Sequence, residues 1–240
     1  MTGTVLVTGG ASGIGLAAVR GLVGSGHDVC VLDRAEAPAE WRDHDRISFV
    51  SGDVTDPAAV AAAATQAERF GPLTGVLASA GVAMPGTIES ISAADWHRSL
   101  AVNLTAVFLL AQETIPRLRA AGGGSFVAVA SQHGLVGDPA NAAYCAAKAG
   151  VINLMRCLAL DHAGDGIRAN AVCPGPVETP MTQRNLARLG ISRDAVSARV
   201  PLGRLAVADE IAAACLYLLG PDSGYVTGSS LVIDGGYTAG

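Results

Sequence analysis

Short β-branched runs alternate along this chain with longer Ala-rich stretches of helical period, and the rhythm begins at once with Thr4 to Thr8. Runs of four to seven apolar residues bounded by turn residues read as buried strands, and their alternation with helical segments predicts parallel βαβ units. The strands expected are Val5 to Thr8, Asp28 to Leu32, Ile47 to Val50, Leu73 to Ser79, Ser125 to Ala130, Arg168 to Val172 and Ser230 to Ile233. Helical patterns run near Gly15 to Ser25, Pro57 to Phe70, Ala93 to Arg119, Ala142 to His162 and Ala208 to Leu219, with Pro116 expected to bend or end the longest. Gly122 to Gly124 marks a tight loop before the fifth strand. Seven strands wound this way predict an α/β, doubly wound Rossmann fold, a seven-stranded parallel sheet with helices on both faces. The segment 178–199 breaks the rhythm, being polar and helical late in the chain, and reads as a lid over a pocket.

Composition narrows the picture. A chain of 240 residues, half of them apolar, can bury one large core, so residues 1–240 are expected to form a single domain. With 21 Asp and Glu against 16 Lys and Arg, and no basic cluster to follow a phosphate backbone, nucleic acid is not an expected partner. No leader pattern opens the chain, and apolar runs such as Ala106 to Ala111 fall far short of a bilayer span, so no membrane partner is expected either. Cys30, Cys145, Cys157, Cys173 and Cys215 are scattered through apolar segments and read as reduced core thiols of a cytoplasmic protein. Cys157 and His162 are too isolated to form a zinc half-site, and no metal is expected.

The first candidate chemistry is Thr8-Gly9-Gly10-Ala11-Ser12-Gly13-Ile14-Gly15, directly after a strand and at the start of a helix. Unpaired N–H groups at such a helix start favour a pyrophosphate, and Gly9, Gly13 and Gly15 permit the tight turn and close approach that this requires. Asp33 follows at the end of the second strand, eighteen positions beyond Gly15, where a carboxylate can accept both ribose hydroxyls. Its charge would repel a 2′-phosphate, which points to NAD, whereas the adjacent Arg34 offers a guanidinium that would instead receive one. The second constellation is Tyr144-Cys145-Ala146-Ala147-Lys148, which puts a phenol and an ammonium one helical turn apart. Bringing a phenol from ~10 to neutrality requires roughly 4 kcal/mol, which the ammonium and an oxidised nicotinamide can share in a desolvated pocket. Ser131, thirteen residues earlier, follows the fifth strand at the carboxyl edge where open α/β sheets bind ligands.

Taken together, Thr8 to Gly15, Asp33, Asp53-Val54, Ala80-Gly81, Asn103, Ser131, Tyr144, Lys148 and Pro174-Gly175 resemble the short-chain dehydrogenase/reductase family in order and interval, over nearly the whole chain. The resemblance implies an NAD-dependent oxidoreductase acting on a small-molecule alcohol or carbonyl. Tyr144 would exchange a proton with the substrate oxygen, Lys148 would lower its pKa and hold the ribose, and Ser131 would polarise the substrate oxygen. Asn103 would support a water relay. It further implies that Ser12, Gly13, Ile14, Ser79, Ala80 and Gly81 line the cofactor site, that Asp53 and Val54 frame the adenine, and that Pro174, Gly175, Val177 and Thr179 hold the nicotinamide end. Ser79 stands where the family usually has asparagine, which puts in doubt the bracing between central strands at that corner.

Substrate-facing positions are expected at Gln132, His133, Val136 and Pro176, with His133 either meeting a polar substrate group or capping its loop. The lid offers Met181, Leu186 and Leu189 beside Arg184, Arg188 and Arg193. Its opening stretch, Glu178 to Gln183, and the end Gly235 to Ala239 look similar to family members that oxidise secondary alcohols; a 3-oxoacyl thioester reductase is the alternative within the family. Outside it, an idle NAD-binding sensor or a methyltransferase are the competing readings, and the latter leaves Ser131, Tyr144 and Lys148 without a purpose. A homotetramer is implied by the family and compatible with the apolar end Ser230 to Tyr237.

Overall fold

The computed structural model describes residues 3–41 and 43–240. In it the chain runs β1 (Thr4–Thr8), α1 (Gly13–Gly24), β2 (Asp28–Asp33), β3 (Ile47–Ser51), α2 (Pro57–Ala67) and β4 (Leu73–Ala78). It continues through α3 (Ala93–Leu100), α4 (Ala106–Ala120), β5 (Gly124–Val129), α5 (Ala142–His162) and β6 (Ile167–Pro174). The last third adds β7 (Val177–Glu178), α6 (Pro180–Leu189), α7 (Arg193–Ser197), β8 (Ala206–Val207), α8 (Ala208–Leu219) and β9 (Ser230–Ile233). Seven strands form one parallel sheet in the order β3-β2-β1-β4-β5-β6-β9. The order reverses between β1 and β4, and the crevice beyond their carboxyl ends is where such sheets take ligands.

Strand alternation divides the interior into two cores, one on each face of the sheet. Leu6, Cys30, Leu32, Phe126 and Ala128 face α2, α4 and α5, while Val5, Val7, Val29, Val31 and Val127 face α1 and α8. Because both faces are covered, the strands read as continuous apolar runs, as buried parallel strands do.

Four expectations are corrected. The helix expected over Ala93 to Arg119 runs without a break to Ala120, but it is not α-helical throughout: it carries a π turn at Ala101–Thr105, in which the Ala106 N–H donates to the Ala101 carbonyl five residues back. Pro116 does not end the following helix, which runs on to Ala120. The segment expected to be helical from residue 178 begins instead in β7, paired with β8 in a two-stranded ribbon apart from the main sheet. Of the cysteines, Cys30, Cys173 and Cys215 are buried, Cys145 is half-buried and Cys157 is exposed, so not all of them are core residues. The continuous helical stretches Ala93–Ala120 and Ala142–Asp165 are long and apolar enough to cross a bilayer by length and composition, yet about half of each is buried in the protein.

One half-buried cation ties the far side of the sheet together. Arg168 of β6 donates from Nη1 to the Leu218 carbonyl (2.9 Å) and the Ser223 hydroxyl (2.8 Å), and from Nη2 to the Gly220 carbonyl (3.0 Å). These carbonyls are unpaired ends of α8, so the guanidinium serves as its C-terminal cap. Arg168→Met keeps the stem and removes these bonds, and is expected to lower stability by about 2 kcal/mol, read as a lower denaturant midpoint at unchanged slope.

Candidate active site

The turn between β1 and α1 is built by two glycines with positive φ, Gly9 (+69°) and Gly13 (+55°). A Cβ on Gly9 would stand 2.7 Å from the Ala80 Cα, and one on Gly15 would run into the Gly9 carbonyl, so the turn closes only without side chains. Ser12 is the N-cap of α1 in extended conformation, yet its hydroxyl caps nothing and no acidic residue sits in the first turn. The first amides of α1 therefore remain open to an anion, which fits a pyrophosphate.

Asp33 closes β2 beside this turn. Its carboxylate accepts from the Ala11 N–H (3.0 Å) and the Ala35 N–H (2.9 Å), which fixes it at the rim where a ribose would lie. At the opposite corner the Ala80 N–H donates to the Thr8 hydroxyl (3.4 Å) and the Ser79 N–H to the Thr8 carbonyl (3.2 Å). The bracing that Ser79 put in doubt is thus made by the backbone and by Thr8.

Ser131, at the end of β5, is 7% exposed, and its Oγ accepts from the His133 N–H (3.1 Å) at the head of a short 3-10 turn. That leaves the hydroxyl proton free, and Ser131 lies near enough to the Tyr144 phenol to work against a rise in its pKa. Helix α5 presents Tyr144 and Lys148 one turn apart, with Lys148 Nζ 5.7 Å from the centre of the tyrosine ring and donating to the Val129 carbonyl at 2.7 Å. Burial dominates both: it pushes the phenol up to about 12, against the lowering by Ser131, and pushes the ammonium down to about 8. The acidified phenol is expected from Lys148 and an oxidised nicotinamide together, and the protein's own groups do not acidify it. The positive charge of Lys148 is half a site away and spent on a carbonyl.

Asn103 lies behind the cavity wall. It is fully buried in the π turn, its Oδ1 accepting from the Val82 N–H (3.0 Å) and its Nδ2 donating to the Val82 carbonyl (2.9 Å) and Ser99 Oγ (3.2 Å). The amide side chain is consumed in pinning the segment after β4 and does not reach the cavity.

A single cavity of about 720 Å³ joins the other expected positions. It is lined by Gly9, Ser12, Gly13, Ile14, Asp33, Asp53, Val54, Ser79, Ala80 and Gly81, and by Ser131, His133, Tyr144, Lys148, Pro174, Gly175, Val177 and Thr179. Gly15 and Asn103 lie behind its wall, and Val136, expected to face it, is turned away. Of the late segment, Met181, Arg184, Leu186 and Leu189 line the cavity, whereas Arg188 does not and Arg193 pairs with Glu178.

Sequence reasoning missed one wall. Asp138 sits 3.8 Å from His133 Nε2 and accepts from Asn141 Nδ2 (2.5 Å) and from Arg199 (3.5 Å), while Arg199 also reaches the Tyr237 hydroxyl. The His133 ring lies edge-on between Tyr144 and Tyr237, with centroids at 6.4 and 6.3 Å. Burial lowers its pKa, Asp138 opposes this and Arg199 reinforces it, so the ring is held toward its neutral form. No spacing rule joins residues 138, 199 and 237; only the fold does. Among the described residues no three His, Cys, Asp or Glu side chains converge as a metal site.

The family model described as enoyl-(acyl carrier protein) reductase matches residues 9–238. The chain is 37% identical to 2-(S)-hydroxypropyl-CoM dehydrogenase 3 of Xanthobacter autotrophicus (strain ATCC BAA-1158 / Py2), over 98% of this chain and 96% of that protein. It is 40% identical to cis-4-hydroxycyclohexanecarboxylate dehydrogenase of Sinomonas cyclohexanicum, again over 98% and 96%. Among solved structures, ElxO with NADP bound superposes with a TM-score of 0.92 at 27% identity, covering all of both chains. With the parallel seven-stranded sheet, the glycine turn and this coverage on both sides, the chain belongs to the short-chain dehydrogenase/reductase family, whose members bind a nicotinamide dinucleotide and act as oxidoreductases.

Proposed function

We propose that this protein is an NAD-dependent dehydrogenase that moves a hydride between the nicotinamide and the carbon of a secondary alcohol or ketone, with Tyr144 as the general acid and base. The observation that carries the reading is that Asp33 and the glycine turn line the same cavity as Ser131, Tyr144 and Lys148. The relatives named above are dehydrogenases of hydroxyl-bearing carbons by name, which supports this substrate class.

In the oxidation direction the substrate hydroxyl gives its proton to the Tyr144 phenolate as its carbon gives up a hydride, and Ser131 donates to the oxygen that becomes a carbonyl. The bound dinucleotide would accept the hydride and, in its oxidised form, bring a positive ring beside the phenol. Lys148 would hold the ribose and keep a positive charge behind Tyr144. Ser12, Gly13 and Ile14 would bind the pyrophosphate through the open amides of α1, with Pro174, Gly175, Val177 and Thr179 at the nicotinamide end. Asn103 would support a water relay behind Lys148 while its side chain pins Val82. Residues 178–199 serve as a lid, α6 and α7 closing the substrate end. Exposed Phe108 on α4, Leu160 on α5 and Val232 on β9 support assembly into a homotetramer.

A 3-oxoacyl thioester reductase is the second reading, favoured by the description of the matching family model. Secondary alcohols, ketones and an acyl thioester supplied with either oxidised or reduced cofactor separate the two through the absorbance of the reduced nicotinamide. Oxidation of the alcohols is expected to speed up with rising pH, because the base form of Tyr144 is the deprotonated one, while carbonyl reduction slows. Tyr144→Phe should cut turnover by at least about a thousandfold with cofactor affinity unchanged; retained turnover would remove Tyr144 from this role. Asp33→Ala should raise affinity for NADP relative to NAD about tenfold, since one repelling charge beside the 2′-phosphate is gone. Direct titration of both cofactors checks this, and an unchanged ratio would contradict it.

A further inference from the structure

The adenosine end of the cavity holds a charge arrangement that the glycine turn and Asp33 leave unexplained. Arg34 immediately follows Asp33, and a free guanidinium at this place is the natural receiver of a 2′-phosphate. In the structure its Nη1 instead donates to Asp53 Oδ2 at 3.4 Å. Arg98, from α3, donates to the same oxygen from the other side at 3.2 Å. The second carboxylate oxygen, Oδ1, accepts from the Thr55 N–H (2.9 Å) and hydroxyl (2.7 Å), so Asp53 cannot turn away from its two arginines without losing both bonds. Partial burial works against the charge of Asp53, and the bonds from Thr55 and Arg98 overcome it, holding the carboxyl below the usual range and therefore ionised at neutral pH. Asp33, Arg34, Asp53 and Arg98 all line the cavity that ends at Tyr144.

We infer that Asp53 is a cofactor-specificity residue: it tethers Arg34 and so withholds that guanidinium from a 2′-phosphate, reinforcing the discrimination by Asp33 in favour of NAD. The inference rests on the NAD-dependent reading above. To serve a phosphate, Arg34 must give up its partner, and the pair is partly exposed, with the arginine side chain 63% accessible. The effect is accordingly modest, about fivefold in relative affinity. Asp53 also lies where the adenine is expected, but that contact is common to both cofactors and cancels in the ratio of their dissociation constants.

The test is a cycle of wild type, Asp53→Asn, Arg34→Ala and the double variant, with NADH and NADPH titrated into each and the Kd ratio of NADPH to NADH compared. Asp53→Asn is expected to lower the ratio about fivefold. In the Arg34→Ala background the same change should move it less than about twofold, because no tethered guanidinium remains to be released. Arg34→Ala alone, a surface change that leaves the core untouched, should alter the wild-type ratio little. Equal shifts in both backgrounds would overturn the inference, since Asp53 would then act by its own charge. So would strong loss of NADPH affinity in Arg34→Ala alone, or a shift abolished by Arg98→Ala and not by Arg34→Ala. A wild type that prefers NADPH would contradict the NAD reading itself, separately from the tether, which the cycle still measures.

Discussion

Two ionisable side chains one helical turn apart, Lys148 buried and Tyr144 half-buried against the cavity, set the terms for everything else in this site. Tyr144 is driven to about 12 and Lys148 to about 8, each toward its neutral form. At neutral pH the phenol is therefore protonated, while Lys148 stays mostly an ammonium with little margin. Bringing the phenol from about 12 to neutrality asks for roughly 7 kcal/mol of preferential stabilisation of the phenolate. An ammonium at the observed separation of 5.7 Å supplies about 3 kcal/mol at the effective dielectric of protein sites. The helix spacing is therefore necessary and insufficient: the remainder falls to the Ser131 hydroxyl and to the positive ring of an oxidised dinucleotide. In the proposed dehydrogenase this division of labour would leave the phenol ionised only when the hydride acceptor is in place.

The fold serves that constraint. The sheet reverses its strand order between β1 and β4, so the open amides of α1 and the end of β5 look into one crevice. Both cores are dry and apolar, and the polar groups that interrupt them are spent on geometry: Thr8 braces the corner at Ala80, and Asn103 pins Val82. Gly81 stays small because a Cβ there would stand 3.1 Å from Asn103 Oδ1 and 3.9 Å from Lys148 Nζ. These corners of the cavity, which runs from Ser12 to Tyr144, are thus held by close backbone packing and fixed hydrogen bonds.

Most of this architecture is legible along the chain because buried parallel strands write continuous apolar runs, and all seven expected strands recur within a residue or two of their places. The glycine turn, Asp33 and the Tyr144–Lys148 spacing are local patterns, and local patterns survive without knowledge of the fold. What was not legible is tertiary. The π turn around Asn103 leaves no trace in a helical apolar period, and Pro116 looked like the irregularity while the true one lay fifteen residues earlier, at Ala101. The wall of Asp138, Arg199 and Tyr237 joins three distant segments. The depth of burial at Tyr144, which reverses the sign of its pKa shift, follows from packing that no spacing shows.

The central claim is that Tyr144 becomes a competent base through the combined field of Lys148 and a bound oxidised cofactor. It is tested most directly by titrating the phenolate absorbance in the near ultraviolet, taking the difference between wild type and Tyr144→Phe with and without NAD⁺. The midpoint assigned to Tyr144 should fall by several pH units from about 12 when the oxidised cofactor is bound. A midpoint that stays near 12 in the complex would contradict the account.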